Sequence, residues 1–92
     1  MSKKGKTKDL TELLGLITKV TPNKYNKVVI ETSKGKRYFS DLTFFQNIHC
    51  YPKENEWNNV SIDPNGKNLI WSSKFQVKID QIVENSFKTE DF

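Results

Sequence analysis

Few residues of this chain are equipped for acid–base or nucleophilic chemistry. His49 and Cys50 are its one His and its one Cys, and they stand side by side. A Cys–His pair works when the imidazole can reach the thiol proton and a third group orients it. Neighbours along a helix point about 100° apart and share no face. No second His or Cys is present to complete a zinc site. Cys50 therefore reads as a small buried hydrophobe and His49 as a partly exposed helix end. The carboxylates have equally plain uses. Glu54 and Glu56 fall in a polar loop, Asp63 opens a turn, and Asp80 stands where it can cap a helix. No catalytic, cofactor-binding or metal-ligating residue is expected, and the chain does not read as an enzyme.

The aromatic residues are a richer resource. There are eleven in 92 residues, 12 % of the chain. One small core, expected to take Phe39, Phe45, Phe75 and one tryptophan, cannot hide them all. Tyr25, Tyr38, Phe44, Tyr51 and Trp57 or Trp71 are the ones expected at the surface. Exposed aromatics anchor protein interfaces and also stack on single-stranded bases.

The net charge of +4 is unevenly placed. Lys3, Lys4, Lys6 and Lys8 crowd the first eight residues with no acid among them, and the rest is close to neutral. Such a tail is simply solvated, or it tethers phosphate. Lys36 and Arg37 precede Tyr38 and Phe39, which interleaves basic and aromatic side chains. With a single Arg in the chain, however, the composition leans away from base-specific readout. No apolar run is longer than Val28-Val29-Ile30, so no membrane partner is expected. A lone unpaired Cys suits a reducing, cytoplasmic setting.

The elements that must position these residues follow from periodicity. Leu10, Leu13, Leu14 and Ile17 fall at helical spacing, which predicts a short helix over 8–14 stopped by Gly15. Strands are expected over 16–20, 25–32 and 36–40, turning at 21–24 and 33–36 with Gly35 in the second turn. Asp41 then opens a helix over 42–49, which Tyr51-Pro52 ends. A strand over 57–63 and its partner over 67–71 flank the turn Asp63-Pro64-Asn65-Gly66. Phe75, Val77 and Ile79 alternate, and a last helix covers 80–86. The expected fold is α+β: a small, mostly antiparallel sheet (meander, helix, hairpin) with short helices packed on one face. The expected organisation is a basic disordered tail over 1–8, one domain over 9–86 and a frayed end over 87–92.

Residues 17–83 resemble a bacterial family known as domain of unknown function 2442. The likeness is carried by Val28 and Ile30, Gly35, Asp41-Leu42, Trp57-x-x-Val60-x-Ile62-Asp63, Gly66 and Ile70-Trp71, with Asp80 and Ile82 matching its last helix. The chain departs from the family in having Lys34 before the hairpin Gly, and Lys74 and Gln76-Val77 where the family has Gly and Asp-Leu. The resemblance implies a compact accessory module without established catalysis, in an antitoxin-like or defence-related setting. The function expected is a non-enzymatic module that docks on a partner protein and regulates or neutralises it. Leu10, Leu13, Leu14, Tyr25, Tyr38, Phe44, Tyr51 and Trp57 are the expected contacts; the three leucines either fill a partner's groove or cover the sheet. The alternative is nucleic-acid binding through Lys3, Lys4, Lys6, Lys8, Lys36 and Arg37. Homodimerisation through an edge strand is compatible with both.

Overall fold

The computed structural model describes residues 13–87 and shows an α+β fold built on two antiparallel sheets. Leu13 and Leu14 are helical, and Gly15 follows in the left-handed region at φ +82°. That is the stop expected of a glycine just past a helix. The remainder of the helix expected over 8–14 lies outside the described residues.

Strands β1 (Ile17–Pro22), β2 (Lys27–Thr32) and β3 (Arg37–Asp41) form the expected meander. The first connection lies a little later than expected, because β1 runs on to Pro22. Asn26 takes the left-handed turn position at φ 76°, which Asn tolerates better than most side chains. Alternation along β2 buries Val28, Ile30 and Thr32 and leaves Lys27, Val29 and Glu31 half-buried on the other face.

Two expectations for the middle of the chain are corrected. No α-helix spans 42–49. A single 3-10 turn, Thr43–Phe45, is continued by bonds from Ile48 N–H to the Phe45 carbonyl and from Tyr51 N–H to the Ile48 carbonyl. Thr-Phe-Phe is a poor α-helical start, and burying Leu42 and Phe45 three residues apart matches a three-residue turn. The strand expected over 57–63 begins instead as the end of a second 3-10 helix, Glu54–Asn59; Val60 is extended, and only Ser61–Ile62 (β4) pair as strand. The Glu56 carboxylate accepts the Lys53 N–H at 3.0 Å and closes the first turn. Glu, Asn, Asn and Asn around Trp57 give little strand preference to oppose it.

β4 pairs with β5 (Asn68–Ser72), and β5 with β6 (Phe75–Lys78), forming the second sheet. The Asp63–Gly66 turn is built as expected. The Asp63 carboxylate accepts the Lys67 and Asn68 amides and the Asn68 side chain at 2.7–3.1 Å. Helix α1 (Ile79–Glu84) then crosses to β7 (Ser86–Phe87), which pairs with β3. The sheet thus includes Phe87, one residue inside the stretch expected to fray.

One core joins the two sheets. Val28 and Ile30 from the first, Leu69, Phe75 and Val77 from the second, and Ile79 and Ile82 from α1 are all buried together. Ser40, fully buried, donates its hydroxyl to the Ile82 carbonyl at 2.6 Å and ties α1 to β3. Gly66 lies where the sheets meet. Its carbonyl accepts the Ile17 N–H at 2.7 Å, and a Cβ on it would stand 3.0 Å from that of Leu16.

Trp57 is the largest buried side chain, 1 % exposed. Its indole N–H donates to the Lys27 carbonyl at 2.8 Å. Trp57→Ala is expected to cost about 3–5 kcal/mol, a large share of a small domain's total. Trp57→Phe removes the indole bond while the Lys27 carbonyl keeps the Asn23 N–H at 2.9 Å, so beyond the lost ring area it should cost only about 0.5–1.5 kcal/mol, both read by urea unfolding.

Partial burial pushes the Asp63 carboxyl up, but the hydrogen bonds from Asn68 and the Lys67 and Asn68 amides outweigh it and hold it below its ordinary range. The stability it contributes is complete above the unfolded-state pKa of about 4 and is lost as pH falls through the lower folded-state value. Asp63→Asn should therefore flatten the acid limb of a stability–pH curve, and leave the shape above about pH 5 unchanged.

Candidate functional site

The expected surface aromatics separate into three groups. Trp57 is corrected outright. Its indole lies in the core, stacked on Trp71 with ring centres 4.6 Å apart and planes 28° from parallel. Tyr25 and Tyr51 are half-buried around it. Tyr25 meets Trp57 edge-on at 5.8 Å and donates its hydroxyl to the Pro52 carbonyl. Tyr51 lies 5.9 Å from Trp57 and 5.0 Å from Phe75. Burial, followed by the charges of Tyr25 and Asp41, pushes the Tyr51 phenol well above its usual range, so it stays a neutral donor. These rings belong mainly to packing. A near-continuous aromatic cluster cannot be read from residues 25, 51, 57, 71 and 75 in sequence, because four separate segments supply it.

Tyr38 and Phe39 exchange their expected roles. Strand register sets Tyr38 opposite Ile30, and Tyr38 packs against the core. Phe39 lies on the opposite face, between Val29 and Phe87. Lys36 and Arg37 are exposed beside it. The Arg37 guanidinium meets the Glu31 carboxylate at 3.5 Å across the β2–β3 pair, so its charge is partly answered within the chain. Lys3, Lys4, Lys6, Lys8 and Leu10 lie outside the described residues.

Phe44 is the third case, and it is 82 % exposed, as expected of a surface aromatic. It stands on a loop that is held at both ends. The Asp41 carboxylate accepts the Thr43 N–H at 2.9 Å and the Thr43 hydroxyl at 2.6 Å. The Leu42 N–H donates to the Asn26 carbonyl at 2.7 Å, and the Tyr51 hydroxyl donates to the Asn26 side-chain oxygen at 2.7 Å. Below it, the ring of buried Phe45 meets Phe44 edge-on at 5.5 Å. Ile48, 49 % exposed, adds to the apolar surface of the same loop.

A hollow of about 290 Å³ opens between Cys50–Lys53, the second 3-10 helix and the end of β5. Trp71 lies in its wall at a register shift: Ile70 pairs with Gln76 and Ser72 with Phe75, which leaves Trp71 as the extra residue. Such bulges re-aim a side chain. Cys50 borders the hollow at φ 70°, and neighbouring His49 is exposed. Among the described residues no group of three or more His, Cys, Asp or Glu is arranged to hold a metal ion. Among them, too, no helix is long and apolar enough to cross a membrane.

Comparison of the chain with family models, curated proteins and solved structures gives no match.

The leucines at the N-terminal edge divide by exposure. Leu13 is 62 % exposed, whereas Leu14 packs against the core. Leu13→Asp should change stability by less than about 0.5 kcal/mol. Leu14→Asp, which drives a charge against apolar neighbours, should cost more than about 2 kcal/mol in the same denaturation assay.

Proposed function

We propose that this protein is a non-enzymatic binding module whose Phe44 loop docks on a partner protein. One observation carries the reading: a largely exposed phenylalanine on a backbone that is already hydrogen-bonded at both ends. Exposing a large ring to water is unfavourable, and fixing it in place cuts the ordering cost that association would otherwise incur. Rigid exposed aromatics flanked by further apolar surface are the usual anchors of protein interfaces. Ile48, also exposed, is a second apolar side chain of the same loop. The near-neutral charge of the chain beyond its lysine-rich start favours an apolar protein contact over an electrostatic one. The resemblance to the domain of unknown function 2442 family supports the finer reading, an antitoxin-like or defence-related subunit that regulates or neutralises its partner in the cytoplasm.

The test is capture from host lysate on the tagged protein, with and without nuclease, repeated with Phe44→Ala. The expected result is a stoichiometric protein that survives nuclease and is retained at least about tenfold less well by the variant. The variant's unfolding midpoint should match that of the parent. Equal retention by Phe44→Ala would remove the loop from the interface. Capture that vanishes with nuclease would favour the lysine tail and the Lys36–Phe39 strand instead.

A further inference from the structure

We infer that the hollow beside Trp71 is a binding site for a nucleobase-like heterocycle, a flat ring whose edge carries both hydrogen-bond donors and acceptors. Its volume of about 290 Å³ falls just below the usual range of small-molecule sites, roughly 300–1,000 Å³, and suits one ring system rather than a chain.

The stacking surface is Trp71. Its face toward Trp57 is covered, and its indole N–H is spent on the Trp57 carbonyl at 2.9 Å. Phe75 leans on it at 5.8 Å. The ring is therefore held before any ligand arrives, and Trp71 joins the lining of the hollow with its one hydrogen-bonding atom already engaged. Stacking on such a platform accepts any flat π-face.

The polar groups around it select the edge. Lys53 donates only, Glu56 accepts only, and the Asn59 amide does both. One Glu56 oxygen is engaged by the Lys53 N–H, which leaves the other. The Asn59 side chain has no hydrogen bond among the described residues. The ammonium and the carboxylate cancel, so the hollow carries no net charge to reward a simple anion or cation. A ring that pairs a carbonyl with an amino or imino group, as nucleobases do, satisfies all three.

Free nucleotides and unpaired bases of a single strand share this chemistry. The hollow contains Cys50, the one thiol of the chain, which makes occupancy measurable. The full chain is titrated with AMP, with UMP and with a short unstructured RNA, and the rate at which a disulfide reagent modifies Cys50 is followed. Saturable protection of at least about fivefold by one of them is expected. Protection by a mononucleotide assigns a free ligand; protection by RNA alone assigns a strand. Asn59→Phe, a substitution at an exposed position that fills the hollow, should abolish protection and keep the parent's circular dichroism and unfolding midpoint. Phe44 does not line the hollow, so Phe44→Ala should protect as the parent does, which keeps this site separate from the docking loop. No protection by any of the three at about 5 mM, or protection unaltered in a folded Asn59→Phe, overturns the assignment.

Discussion

The indole of Trp57 is the constraint on which the rest of this molecule depends. It starts from a 3-10 helix that belongs to neither sheet, and it reaches both. Its N–H satisfies the Lys27 carbonyl at the start of β2, its face stacks on Trp71 of β5, and its own carbonyl accepts the Trp71 N–H. A domain of this size has little apolar area to spare, so a single large side chain that bridges both sheets carries a disproportionate share of their association. The two indole bonds, to the Lys27 and Trp57 carbonyls, also remove the usual objection to burying tryptophan, an unpaired N–H in a dry interior.

The segment from Leu42 to Asn59 uses that anchor to build two different surfaces. Tyr51 turns inward toward Trp57 and Phe75, and its hydroxyl holds Asn26. On one side of this tether the chain lifts Phe44 and Ile48 into solvent. On the other it folds over the end of β5 and encloses the hollow beside Trp71. Both features are tethered in the same way, by short-range 3-10 bonds and side-chain caps at Asp41 and Glu56. Pre-organisation of this kind lowers the entropic cost of binding, whatever the ligand.

Local chemistry was largely legible along the chain. Gly15 as a helix stop, Gly35 in a hairpin, the Asp63–Gly66 turn and the period-two strands over Lys27–Thr32 and Phe75–Lys78 are decided within a few residues. Three features were not. The apolar spacing of Leu42, Phe45 and Ile48 fits an α-helix and a run of 3-10 turns alike, and packing chose the latter. Trp57 to Val60 has a strand-like look that the Lys53–Glu56 cap overrides. Tyr38 and Phe39 alternate correctly, but which of them faces inward depends on register with Ile30, set by a hairpin and not by either residue.

What the sequence by itself determined is the α+β class, the meander and hairpin, and an excess of aromatic residues over what one small core can bury. These follow from periodicity, turn chemistry and surface-to-volume limits, all of which act locally or on composition. Only the tertiary structure decided that the strands divide into two sheets, that Trp57 is inside and Phe44 outside, and that Trp71 faces a hollow. The physical reason is that burial is a property of pairs of surfaces. An aromatic ring carries the same apolar area at positions 44 and 57, and its fate depends on whether another element lies across from it.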